Sequence, residues 1–331
     1  MTWPDEHPPL FPNKLGVLLV NLGTPGKPEP AAVRRYLAQF LSDPRVVEIP
    51  PLVWQPILRG VILRTRPRKS ARAYRQIWRE DGSPLAAITK AQAEALQQAF
   101  GEEVFVDYAM RYGEPDIRGR LVSLKTYGAR RILIAPLYPQ YCAATTATAN
   151  DAAFAELAAM RWQPAIRTLP PYYADPAYIA ALKESVEASL AALDFVPDTI
   201  VASFHGMPRR TLELGDPYHC HCQVTARLLG EALGRELTVA FQSRFGRAKW
   251  LEPATDAMLA RLGAEGRKVA VVAPGFSADC LETLEEIAIR GRETFVAAGG
   301  TDFAYLPCLN ASAPGLAMLK TILARELAGW L

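Results

Sequence analysis

Thr199-Ile200-Val201-Ala202-Ser203-Phe204-His205-Gly206-Met207-Pro208 reads as a short buried strand that stops at a glycine and a proline. Neither residue continues a ladder, because proline lacks the N–H and glycine has no side chain to pack. His205 is thereby placed at the carboxyl end of a strand. In open α/β sheets that edge lines the ligand crevice. From this stretch alone two readings stand, a functional histidine and a satisfied, half-buried one. The chain holds four histidines, and His7 lies in a polar, proline-rich opening segment.

Outward from this strand the same pattern recurs. Leu15 to Val20 is a continuous aliphatic run suited to a strand buried on both faces of a parallel sheet, and it ends at Asn21-Leu22-Gly23-Thr24-Pro25-Gly26. Neither GxGxxG nor a GK[ST] loop follows it, which argues against a dinucleotide or P-loop enzyme. Further strands are expected at Val104 to Met110, Arg131 to Ala135, Leu237 to Gln242, Lys268 to Ala273 and Phe303 to Leu306, with a linking strand at Ala165 to Leu169. Helical spacing fills the intervals, beginning with Ala31 to Leu41 and ending with Pro314 to Leu331.

A weak internal repeat relates the halves. Leu22-Gly23-Thr24-Pro25 matches His205-Gly206-Met207-Pro208, and Ile132 to Tyr138 matches Val269 to Phe276. The fold class expected is α/β, with two similar doubly wound, Rossmann-like parallel-sheet domains facing a cleft. The division falls at 1–165 and 166–331, with an insertion at about 48–87 and the last helix expected to pack back on the first domain. His205 and Glu282 then share one sheet edge of the second domain, while Arg111 stands at a strand end of the first. An arginine there could pair with a ligand carboxylate through its planar fork.

Composition narrows the class. A chain of 331 residues suits two domains of about 150 residues each. A net charge of +3 is too small to argue for nucleic acid. Met1 to Asn13 has no apolar core of a signal peptide, and five cysteines read as reduced cytosolic thiols. His219-Cys220-His221-Cys222 puts four ligand types in a row, which cannot all face one ion, and no second CxxC completes a site. Ile49 to Lys69 mixes apolar residues with Arg59, Arg64, Arg66, Arg68 and Lys69. It suits a membrane surface, an apolar lip over a large flat ligand, or a helix packed on its own domain.

The ordered motifs Val20 to Pro25, Gly82-Ser83-Pro84, Met110-Arg111-Tyr112, Leu137 to Tyr141, Ser203 to Pro208, Gly215 to Tyr218, Gln242 to Gly246, Trp250-Leu251 and Asp279 to Glu286 resemble the ferrochelatase family. The resemblance implies insertion of Fe(II) into protoporphyrin IX to give protohaem, with His205 and Glu282 as the catalytic, iron-binding pair. It implies an acidic path continued by Glu286, one helical turn on, and porphyrin contacts at Leu22, Arg111, Tyr112, Ser203 and Trp250. The family often has histidine two positions before the glutamate, where this chain has Cys280. Some members bind a [2Fe-2S] cluster through C-terminal cysteines. With no cysteine after Cys308, no such cluster and no tightly bound cofactor is expected, and Fe(II) enters as substrate. The expected setting is cytoplasmic, with peripheral contact on the inner face of the membrane. Alternatives are a chelatase for another tetrapyrrole, such as coproporphyrin or a cobalt substrate, and a non-catalytic haem or metal carrier.

Overall fold

In the computed structural model of the chain, residues 14–246 and 248–331 are described. The reading of Met1 to Asn13, His7 included, lies outside these residues. The first sheet is built from β1 (Lys14–Gly23), β2 (Val104–Tyr112), β3 (Ala129–Pro136) and β4 (Ala165–Thr168), in the order β2-β1-β3-β4 and parallel throughout. The second is built from β5 (Thr199–His205), β6 (Leu237–Gln242), β7 (Val269–Val272) and β8 (Phe303–Leu306), in the matching order β6-β5-β7-β8 and again parallel. Two similar doubly wound α/β domains are thus the architecture. β1 and β5 are central strands, and their interiors are buried because helices cover both faces. The sequence division at 165/166 falls at the first residue of β4, which pairs with β3, so the first sheet runs to Thr168.

Helices connect the strands. In the first domain α1 (Pro30–Ser42) opens on a proline, whose missing N–H is one the first helical turn leaves unpaired in any case. Its buried stripe is Val33, Tyr36, Leu37 and Leu41, the 3–4 spacing of one helix face. The insertion follows as α2 (Pro51–Ile57), a π-helical segment (Leu58–Ile62) and α3 (Leu63–Ile77). The π segment lies between Pro56 and Pro67, each of which withholds one helix donor. Trp54, Leu58, Leu63 and Tyr74 pack this insertion against α1, while Leu52 on the other side is 92% exposed. The segment is therefore both a packed helix and an apolar rim.

α4 (Pro84–Phe100), α5 (Ile117–Thr126) and α6 (Thr148–Ala159) complete the first domain, with a second π segment (Ala143–Ala147) before α6. α7 (Pro176–Ala191) leads into the second domain. There follow α8 (Arg209–Glu213), α9 (Tyr218–Leu233), α10 (Thr255–Ala264), α11 (Leu281–Thr283), a third π segment (Leu284–Gly291), α12 (Arg292–Ala297) and α13 (Ala313–Leu327). α13 packs on both α7 and α4, and Arg131 and Arg167 of the first domain donate to carbonyls of Trp330 and Glu326 just beyond and within its end. One continuous buried cluster runs from Val17 and Leu133 through Tyr178 to Phe204 and Leu323, so the domains share a core.

Candidate active site

The two domains meet at corresponding strand ends. The edge strands fix the correspondence, since Met110 N–H donates to Pro115 O at 2.7 Å in the first domain and Phe241 N–H to Pro253 O at 2.8 Å in the second. Met110 pairs with Asn21 and Phe241 with Phe204, so the next residues, Leu22 and His205, are counterparts. Each is followed by a glycine pressed against the neighbouring strand. A Cβ on Gly23 would stand 1.8 Å from Tyr112 O, and one on Gly206 2.4 Å from Gln242 O, so no side chain fits at either.

His205 is the last residue of β5, with the Phe276 ring edge-on at 6.5 Å between centroids. Burial lowers its pKa from the ordinary imidazole value, and the nearby Glu282 charge acts in the opposite direction. The imidazole is therefore neutral at pH 7 and able to accept a proton. Glu282 lies in the first turn of α11, where a carboxylate meets the positive end of the helix. Among the described residues its carboxylate has no lysine or arginine partner; Arg290 is taken by Glu285 at 2.9 and 3.0 Å, with Glu286 at 3.9 Å. Leu281, Leu284 and Ile289 pack on the first domain's cluster of Tyr36, Tyr74 and Tyr112. Burial raises the Tyr36 and Tyr74 phenols, and the Glu282 charge raises them further, so that carboxylate faces the first domain.

Glu286 follows Glu282 by four residues, close to one turn of the continuous helix. The helix passes from α to π at Leu284, and π bonding runs i→i+5. Glu286 is held by Ser243, whose N–H donates at 2.7 Å and whose Oγ donates at 2.6 Å. Burial raises its pKa although both Ser243 bonds and the Arg290 charge oppose that. It can hold a proton above the usual carboxylate range. Cys280 is buried, and burial followed by the Glu282 charge pushes its thiol up, so it sits beneath Glu282 as a neutral group.

The remaining expected residues divide. Trp250 is brought to the site: it bridges to Pro208, and its ring would be 3.4 Å from a Cβ on Gly206. Leu22 is partly buried between two apolar clusters of the first domain. Arg111 and Tyr112 lie within β2, and the fork expected to meet a ligand carboxylate is engaged internally. Arg111 Nη2 donates to Asp43 at 2.6 Å and its Nε to Thr148 at 2.7 Å; Tyr112 OH donates to Asp43 at 2.8 Å and is 2% exposed as a residue. Burial opposes ionisation of Asp43, but bonds from Thr148, the Arg45 N–H and Tyr112, with the Arg111 charge, hold its carboxyl below the usual range. Ser203 does not reach the cleft at all. It is 0% exposed, and its hydroxyl meets Gln242 and Thr255.

Sequence reasoning missed Asp43, Thr148, Tyr36, Tyr74 and Gln242. Asp43 reads as a helix breaker in Ser42-Asp43-Pro44, and only its three tertiary donors reveal a role. The His219-Cys220-His221-Cys222 run is the first turn of α9, so its side chains diverge by about 100° per residue. His219 stacks on Phe241, His221 stacks on Tyr173 and accepts from Tyr141 N–H, Cys220 is exposed and Cys222 is buried in the core. Among the described residues no three His, Cys, Asp or Glu side chains converge as a metal cage. Shape alone does not locate the site, since a concavity of about 250 Å³ lies instead between Leu169–Asp175 and α13.

Two parallel-sheet domains with a histidine and a carboxylate at a shared strand edge define a chelatase-type architecture. Solved structures bear out the fold: SirB from Bacillus subtilis with Fe3+ matches at a TM-score of 0.58, with 13% identity, over 96% of this chain and 97% of that one. The sirohydrochlorin chelatase SirB with cobalt matches at 0.55, also with 13% identity, over 96% and 97%. The sequence model of the Ferrochelatase family matches residues 14–327. A curated ferrochelatase of Rhizobium meliloti (strain 1021) is 54% identical over 98% of both chains, and one of Agrobacterium fabrum is 51% identical over 99% of this chain and 97% of that one. The chain belongs to the ferrochelatase family.

Proposed function

We propose that this ferrochelatase-family chain inserts Fe(II) into protoporphyrin IX, releasing two protons as protohaem forms. The observation that supports this reading most directly is the partly buried His205, neutral at pH 7, beside an uncompensated Glu282. A free porphyrin carries two pyrrole N–H protons that must leave as the metal enters. Neutral His205 accepts one of them, and the carboxylates of Glu282 and Glu286 take up the other and pass it toward Ser243. The ring lies between the His205 wall and the Leu22 wall, with Trp250 at its edge. Contacts on both walls bend the macrocycle and bare its nitrogen lone pairs. Iron is substrate here, passing through the pair rather than residing on it. The test is anaerobic incubation with Fe(II) or Zn(II) and protoporphyrin IX, read as loss of porphyrin fluorescence over many turnovers. Turnover with coproporphyrin alone would change the substrate, and binding limited to one equivalent would replace the enzyme with a carrier.

We further propose that the insertion rests on an anionic membrane while porphyrin passes beneath it. Leu52, Val53 and Val61 are 92, 56 and 54% exposed, and Arg59, Arg64, Arg68 and Lys69 are exposed beside them. Apolar side chains flanked by cations suit an interfacial helix. Among the described residues no helix is long and apolar enough to cross a membrane. Flotation with anionic liposomes at low salt is the check, and protein left in the heavy fraction would remove the membrane from the account.

A further inference from the structure

We infer that Gln242 is a positioning residue for the metal-insertion pair, holding the His205 turn with its main chain and Glu282 with its side chain. The inference rests on the chelation reading of that pair. Gln242 ends β6 directly beside His205 in the sheet register, and its carbonyl accepts the Gly206 N–H at 2.7 Å. Gly206 cannot carry a side chain there, so the contact ties the peptide that follows His205 to this one carbonyl. The side chain turns the other way. Its Nε2 donates to Glu282 O at 2.7 Å, in the turn where the helix passes from α to π. No other residue bonds the main chain beside both members of the pair in this way among the described contacts.

The orientation of the amide follows from chemistry. The Glu282 carbonyl only accepts, so the NH2 end of Gln242 must face it and Oε1 must face Ser203. Ser203 Oγ then donates to Oε1 at 2.6 Å, which leaves it to accept from Thr255 Oγ1 at 2.8 Å. Thr255, Ser203 and Gln242 are 4, 0 and 3% exposed, so water does not compete for any of these bonds. The relay thus explains why a serine belongs at position 203 although it never meets the cleft. Residues that orient a metal-handling group through a second layer of hydrogen bonds commonly change affinity or rate by 10- to 100-fold when removed.

The experiment compares wild type with Gln242→Met, Gln242→Glu, Ser203→Ala, Thr255→Ala and Thr255→Ser. Three readouts are taken: kcat and porphyrin KM for Zn(II) insertion, Zn(II) affinity by calorimetry, and far-UV circular dichroism with thermal unfolding. Gln242→Met is expected to lower kcat about 100-fold with porphyrin KM changed less than about twofold. Ser203→Ala and Thr255→Ala lower it about tenfold. Thr255→Ser, which keeps the hydroxyl, recovers what Thr255→Ala loses. Gln242→Glu keeps the length, loses the donor and follows Gln242→Met. Unchanged kcat in Gln242→Met, or a fall that tracks lost folding or lost porphyrin affinity, overturns the inference. If wild type shows no turnover, the chelation reading fails and the Zn(II) affinities decide alone: about a tenfold weakening in Gln242→Met sustains the positioning role, while equal affinities, or none in wild type, overturn it.

Discussion

The two domains use one scaffold for opposite ends. At the same strand end the first presents Leu22 and the second His205, each ahead of a glycine pressed on the neighbouring strand. Behind Leu22 the polar groups are closed on themselves, with Arg111, Tyr112 and Thr148 all bound to one Asp43 oxygen. Behind His205 the charge is left open, for Glu282 has no cationic partner among the described residues. The edge strands differ as well. β2 is met again at Pro115, whereas β6 is met only at Pro253, after an excursion that carries Trp250 to the cleft. Satisfied charge makes a wall of fixed shape, and unsatisfied charge makes a reactive one.

Exchanging the counterparts breaks this contrast most severely. His205→Leu, which copies the first domain, and His205→Ala are both expected to lower kcat by about 10²–10⁴-fold, the usual span of a lost general base, while porphyrin still quenches on binding. Retained turnover in either would remove His205 from proton transfer. Asp43→Asn tests the closed side: it leaves the partly buried Arg111 charge without its partner and should destabilise by about 1–3 kcal/mol in urea unfolding, with kcat changed far less than in the His205 variants. A kcat loss as large as that of His205→Ala would show that the first wall is chemically active too.

The pH dependence sharpens the comparison further. His205 has a folded pKa below its unfolded value of about 6.5, so its unfolded form binds the proton first. The acid limb of kcat/KM should therefore lie below pH 6.5, and His205 should cost stability as pH falls through 6.5. Asp43 has the same sign of linkage in a lower window, stabilising above the unfolded carboxyl value of about 3.9 and losing that contribution as pH falls through its lower folded value. Stability profiles of His205→Ala and Asp43→Asn against wild type separate the two windows. The smallest effect belongs to the rim: Leu52→Asp should change stability by less than about 0.5 kcal/mol yet reduce liposome binding, whereas Leu58→Ala, fully buried on the same segment, should cost about 2–5 kcal/mol.

Much of this was legible from residues. β6 and β8 run over the residues expected, because short runs rich in apolar and aromatic residues and bounded by Gly, Pro or polar residues admit little else. The repeat between Leu22-Gly23 and His205-Gly206 survives as matched sheet geometry. Helix starts were less legible. α9 begins at Tyr218, opened by Pro217 and Asp216, although His219 to Cys222 lack an apolar signature. The π segments left no mark in the pattern, because i→i+5 bonding is chosen by packing rather than propensity.

The sequence by itself determined two parallel-sheet domains, the strand end that carries His205, and the ordered motifs that mark the family. These are local facts, written in runs of a few residues whose periodicity and punctuation act on the backbone directly. Tertiary structure alone decided that Ser203 faces inward, that Arg111 is held by Asp43, and that Gln242 joins His205 to Glu282. Each of those turns on which of several partners a polar side chain meets once apolar burial has brought distant segments together, and sequence spacing carries no record of that choice.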